Sequence, residues 1–145
     1  MGERGAVEAV RLAVASLNGG DVDAYLAGFD PDCRRWISGF DQPLDFGDVG
    51  ESLRQLSIAF EGLRLDEDVL FGDERFVCAR WRMRGLHRAE YLGLAPTGRS
   101  IDVETCEVYE IDDGRVVNTW VYGDVLGQLM GQMAGQPVSD EGPSS

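Results

Sequence analysis

Apolar residues recur at helical spacing near the start of the chain, at Val7, Val10, Val14 and Leu17, with charged and polar side chains between them. This spacing predicts an amphipathic helix that stops at Asn18-Gly19-Gly20. Asp21 is placed to cap a short second helix through Tyr25 and Leu26. Residues 30–46 mix Pro31, Pro43, Gly39 and four aspartates around CRRWIS, which reads as loop, short strand, loop. Val49, Leu53, Leu56 and Phe60 restore the helical spacing and predict a third helix.

From Leu63 the period changes to two. Leu63, Leu65, Val69 and Phe71 are expected on one side of a half-buried strand, with Arg64, Asp66 and Asp68 on the other. Turns at Gly72-Asp73, at Ala95-Pro96-Thr97-Gly98 and at Asp112-Asp113-Gly114 separate three further strands, so four consecutive strands form an antiparallel meander. A last helix runs from Asp124 through Leu126, Leu129 and Met133, and residues 135–145 are expected to be a disordered tail. Helices first and a long sheet afterwards make an α+β domain over residues 1–134. Its curved antiparallel sheet, covered by the N-terminal helices, should form a cone-shaped barrel with an interior.

The 145 residues suffice for one domain with a real core or a modest cavity. A formal charge of −13 repels phosphate backbones and anionic headgroups, so neither nucleic acid nor a membrane surface is an expected partner. The N-terminal segment lacks a basic leader and an unbroken apolar run, and no segment is long and apolar enough to span a bilayer. Cys33, Cys78 and Cys106 form no CxxC and cannot all pair within the chain, which suits a reduced cytoplasm.

Alternation along the strands sorts side chains by face. Val77, Ala79, Trp81, Met83 and His87 share an apolar face, and Arg80, Arg82 and Arg84 share the other, where a cross-strand salt-bridge ladder with acidic neighbours is expected. In the next strand Ile101, Val103, Thr105, Glu107, Tyr109 and Ile111 share the inner face, which makes Glu107 the anomaly. A carboxylate there either serves as a general acid or base, or satisfies an arginine or a backbone group. His87 is the sole histidine, and it is either structural or a proton carrier at the cavity rim. One histidine and no cysteine pair give a zinc or iron site almost nothing to be built from, and no metal or cofactor is expected.

The run from Gly85 to Met133 resembles the signature half of the SnoaL-like polyketide cyclases, within the nuclear-transport-factor-2-like superfamily. The matching pieces are Gly85-x-His87, Gly93-x-x-Pro96-Thr97-Gly98, Asp113-Gly114-Arg115-Val116, Trp120 and Asp124-x-x-Gly127, and LNGGDVDAYLAGFDPD fits in the first half. The resemblance implies an α+β cone barrel, usually a dimer, whose apolar cavity binds a hydrophobic polyketide-like intermediate in natural-product and antibiotic biosynthesis. It further implies ring closure by a side-chain acid/base without metal or coenzyme. The family's catalytic aspartate falls on Val121, and a family histidine falls on Glu107. Other relatives are associated with hydroxylation, epoxide opening or cycloaddition, and a domain that only binds a hydrophobic ligand is the remaining alternative.

The expected site is therefore Glu107 as acid/base and His87 as its proton-transfer partner. Trp36, Trp81, Met83, Tyr91, Thr105, Val121 and Tyr122 are its expected substrate-binding walls. Asp124 is either the cap of the last helix or a further acid. A hydrophobic small molecule and a second copy of the chain, docked through the outer sheet face with Val116, Trp120 and Tyr122, are the expected partners.

Overall fold

In a computed structural model that describes residues 3–135, the helical spacing becomes a buried stripe: Ala6, Val10, Val14 and Leu17 all face inward from α1 (Glu3–Asn18). The segment expected to be a disordered tail lies outside the described residues except for Gly135. The Asp21 side chain accepts the Ala24 N–H and starts α2 (Val22–Leu26).

The next segment departs from expectation. β1 (Phe29–Ile37) is a nine-residue strand and not a short one, with its register broken between Phe29 and Arg34. Pro31 lies in that break, where a residue without an N–H costs the ladder nothing. α3 (Phe46–Ala59) begins three residues earlier than the apolar spacing predicts, because Asp45 and Asp48 form a reciprocal capping box. Phe60 leaves the helix and opens β2 (Phe60–Gly72).

β2, β3 (Phe76–His87), β4 (Ser100–Asp112) and β5 (Arg115–Tyr122) form the expected antiparallel meander. β1 adds to β5 in parallel, giving the order β1-β5-β4-β3-β2. The curved sheet is unclosed, with β1 and β2 at its edges. Helices α1 and α3 pack on β2, and α4 (Val125–Met133) packs on β4.

Two bulges change the faces. The register shift between Glu67 and Val69 turns Leu70 towards the core and leaves Val69 and Phe71 exposed, so these two do not join Leu63 and Leu65. A second shift pairs Ile111 with Val116, which buries Val116 on the inner face with Thr119 and Val121 instead of beside Trp120 and Tyr122. On the outer face Arg80, Arg82 and Arg84 form the expected ladder with Asp68, Asp102 and Asp66 at 2.7–3.1 Å. Inside, one apolar cluster lies under α1 and α2 and a second under α4.

Candidate active site

A cavity of about 240 Å³ opens where the two apolar clusters meet, with Trp81 from one and Met83 and Leu129 from the other in its wall. Among the described residues that line it, the charged ones are Glu107 and Arg35. Glu107 is 3% exposed, and its Oε2 accepts from Arg35 Nη2 at 2.9 Å. Its Oε1 accepts from the Tyr109 hydroxyl at 3.2 Å, and that hydroxyl accepts the Trp81 indole N–H at 3.0 Å. The anomalous carboxylate is thus paired and hydrogen-bonded, as a buried charge must be.

The sheet register explains how these groups meet. Glu107 stands directly opposite Val121, which stands beside Ile37 of β1. Tyr109 stands opposite Thr119, which stands beside Arg35. Arg35 therefore reaches diagonally across β5 to the carboxylate, and the small side chains of Thr119 and Val121 leave it room. Alternation along β1 turns Cys33 and Arg35 to the inner face, leaving the Arg35 side chain 17% exposed at the cavity wall.

Tyr25, almost fully buried, completes the group: it lines the cavity and its hydroxyl is close enough to Arg35 and Glu107 for both to act on it electrostatically. Burial, reinforced by the Glu107 charge, pushes both the Tyr25 and Tyr109 hydroxyls well above the ordinary phenol range, so both stay protonated. Burial works against the Arg35 charge, but the Glu107 carboxylate at 2.9 Å outweighs it and holds the guanidinium protonated. The polar end of the cavity thus carries a carboxylate that can accept a proton and a guanidinium that cannot lose one.

Trp81, Met83, Tyr91, Thr105 and Val121 also line the cavity. His87 does not. It is fully buried beyond the cavity, where its ring packs on Phe60 and its Nδ1 accepts the Thr97 N–H at 3.2 Å and meets Thr97 Oγ1 at 3.0 Å. An accepting Nδ1 puts the ring N–H on Nε2, which is buried without a partner among the described residues. β3 runs past the cavity, and Phe60 and the loop after β3 close over its end. Trp36 and Tyr122, expected as walls, lie on the outer face, where both are exposed. Tyr122 follows the inward Val121, so strand alternation turns it outward, and Trp36 follows the inward Arg35.

Asp124 caps α4 by accepting the Gly127 N–H at 2.9 Å and does not line the cavity. A Cβ at Gly127 would lie 2.0 Å from Asp124 Oδ2, so the D-x-x-G spacing is a helix cap whose carboxylate occupies the space a side chain would need. Among the described residues no group of three or more His, Cys, Asp or Glu side chains converges as a metal site would require.

The residues that sequence reasoning missed are Arg35, Tyr25 and Tyr109. Alternation through Cys33-Arg34-Arg35-Trp36-Ile37 contained the signal for Arg35, and Tyr109 shares the odd face of β4 with Glu107. Tyr25 carried no such signal in its five-residue helix.

The profile of the family described as SnoaL-like polyketide cyclase matches residues 7–132. Among solved structures, AclR from Streptomyces galilaeus, provisionally assigned as a hydroxylase, superposes with a TM-score of 0.79 at 23% identity, covering 90% of this chain and 97% of that one. IdmH from Streptomyces antibioticus, provisionally assigned as a polyketide cyclase, gives 0.71 at 22% identity, covering 85% and 96%. A provisionally assigned SnoaL-like polyketide cyclase from Jannaschia sp. CCS1 gives 0.79 at 20% identity, covering 93% and 95%. No curated protein sequence matches the chain significantly.

Proposed function

The chain belongs to the SnoaL-like polyketide cyclase family, and from that premise we propose that it is a cofactor-free cyclase or isomerase acting on a hydrophobic polyketide-like intermediate, with Glu107 as the acid/base. The observation that carries this reading is the direct cross-strand pairing of Glu107 with Val121. The position where the resemblance puts the family's aspartate is apolar here, but the neighbouring strand delivers a carboxylate to the same cavity wall. Directly paired residues lie roughly 5 Å apart at Cβ, a distance a substrate can take up by a small shift.

The chemistry is proton transfer at an activated carbon. Glu107 takes the proton of a carbon next to a carbonyl, the C–H electron pair becomes an enolate, and the enolate carbon forms a bond to a second carbonyl carbon. The resulting alkoxide recovers the proton from Glu107. The proposed role of His87 is now a positioning one, since its ring holds Thr97 and the loop after β3 without facing the cavity.

A second reading, hydroxylation of a similar ring system, is favoured by the apolar Val121 and by the likeness to AclR. It predicts a product that has gained an oxygen atom, which mass spectrometry distinguishes from a cyclised isomer or dehydration product. The proposed setting is a reduced cytoplasm, consistent with three unbridged cysteines. The proposed protein partner is a second copy: Phe71, Cys78, Val108, Trp120 and Trp36 align by register into one apolar stripe across the outer face of all five strands.

The test of the proposed function is turnover of aromatic polyketide intermediates by Glu107→Gln. The variant should keep ligand binding and lose roughly 10²-fold or more in rate. Full activity in that variant would refute the assignment.

A further inference from the structure

The cavity that serves a base is more polar on one side than a base requires. Proton abstraction from a hydrophobic substrate calls for one carboxylate, yet β1 brings a guanidinium into the same wall at the cost of desolvating it. A purely structural counter-ion could sit behind the carboxylate, away from the ligand space. Arg35 instead lines the cavity, and its ion pair with Glu107 uses Nη2 alone among its nitrogens. A guanidinium carries more N–H donors than this pair consumes.

From this arrangement we infer that Arg35 is an oxyanion-binding residue, and that the cavity selects substrates bearing an acidic enol oxygen, such as a fused-ring 1,3-dicarbonyl, over neutral ring systems of the same shape. The inference rests on the proposed cavity chemistry and names its substrate class.

The supporting physics is electrostatic. An enolate oxygen in an apolar cavity loses hydration and needs a donor that is charged and fixed before the ligand arrives. Arg35 is fixed, because the buried Glu107 holds it at 2.9 Å. Among the described residues that line the wall it is the only cation: Tyr25 and Tyr109 are protonated phenols, and Thr105 and Ser52 are neutral. The carboxylate and the guanidinium then share one step: as the carbon proton moves to Glu107, negative charge builds on the carbonyl oxygen at Arg35, and the ion pair exchanges one anion for another without changing its net charge. The size fits as well. A dry cavity of about 150 Å³ accommodates benzene, so about 240 Å³ suits a fused bicyclic ring.

Two probes of nearly equal shape separate the oxyanion from the ring: 2-methyl-1,3-indandione, which forms an enolate, and 2,2-dimethyl-1,3-indandione, which cannot. Calorimetric affinities are compared for the wild type, Glu107→Gln and the neutral pair Arg35→Gln/Glu107→Gln. Glu107→Gln frees Arg35 from its anionic partner and should tighten enolate binding by about tenfold. The neutral pair should bind the enolate at least about tenfold more weakly than Glu107→Gln, with dimethyl-indandione affinity changed by less than about threefold throughout. If the neutral pair fails to fold, Arg35→Lys supplies the comparison, and selective weakening of the enolate is again the expected result. Equal enolate affinity with and without Arg35, or a parallel loss of both probes, overturns the inference. Turnover that survives in Glu107→Gln would refute the catalytic assignment and leave these binding ratios standing, so the two claims fail separately.

Discussion

Tyr109→Phe removes one oxygen atom from the centre of the polar group and should cost more than any surface hydroxyl. The hydroxyl is buried, donates to Glu107 Oε1 at 3.2 Å and accepts from the Trp81 indole at 3.0 Å. Deleting it strands a buried indole N–H, worth about 1–3 kcal/mol, and removes a hydrogen bond to a charged group, worth about 1.5–3 kcal/mol. The two losses share one atom and are not fully additive, so about 3 kcal/mol is expected. For a chain of this size that lowers Tm by about 6–12 °C. Urea unfolding followed by tryptophan fluorescence measures it, with Tyr122→Phe on the exposed outer face as the control expected within about 0.5 kcal/mol of wild type. A loss below about 1 kcal/mol, or one equal to the control, would show that the Trp81–Tyr109–Glu107 chain does not hold the site together.

Asp124→Ala should cost about 1 kcal/mol as a lost helix cap. Gly127→Ala should also destabilise, despite alanine's better helix propensity, but should become neutral or better in the Asp124→Ala background, where the clashing carboxylate is gone; thermal melts of the four proteins decide it. Acid lability should track the outer ladder and the ion pair that ties α1 to β2. Arg82 holds the Asp102 carboxyl below the usual carboxylate range and Arg11 does the same for Glu67, so the unfolded chain takes up protons first as pH falls. Their stabilisation is complete above about pH 5 and is lost through the folded values below about pH 4, and urea midpoints between pH 7 and 3 should fall accordingly. Sedimentation at micromolar concentration should show a dimer, and Trp120→Glu, which places a charge in the middle of the apolar stripe, should give a folded monomer. A wild-type monomer would contradict the proposed interface.

How much of this was legible in the sequence depends on which residues are asked. Glu107 was found because β4 alternates without interruption, so one carboxylate among apolar neighbours stands out. Its partner was hidden because Pro31 and the surrounding aspartates disguise β1 as loop, and a strand read as short invites no reading of its faces. Val69, Phe71 and Val116 were placed on the wrong faces by bulges, which insert a residue without a local sequence marker and reverse every side chain beyond it. His87 was assigned to the inner face correctly, but alternation gives only the face. It does not say where along the strand the cavity ends, which Phe60 and the loop after β3 decide through tertiary packing. The helix cap at Asp124 was readable because its partners are three residues apart, whereas the site depends on contacts such as Arg35 to Glu107, which are 72 residues apart in the chain.

The central claim is that Glu107 moves a carbon-bound proton inside the cavity, and hydrogen–deuterium exchange tests it without the natural substrate. 2-Tetralone is a fused bicyclic ketone with enolisable positions, and its exchange in deuterated buffer can be followed by proton NMR with catalytic amounts of protein. Wild-type protein should accelerate exchange above buffer, an apolar ligand that fills the cavity should suppress the acceleration, and Glu107→Gln should lose roughly 10²-fold of it. Equal acceleration by wild type and Glu107→Gln would contradict the account.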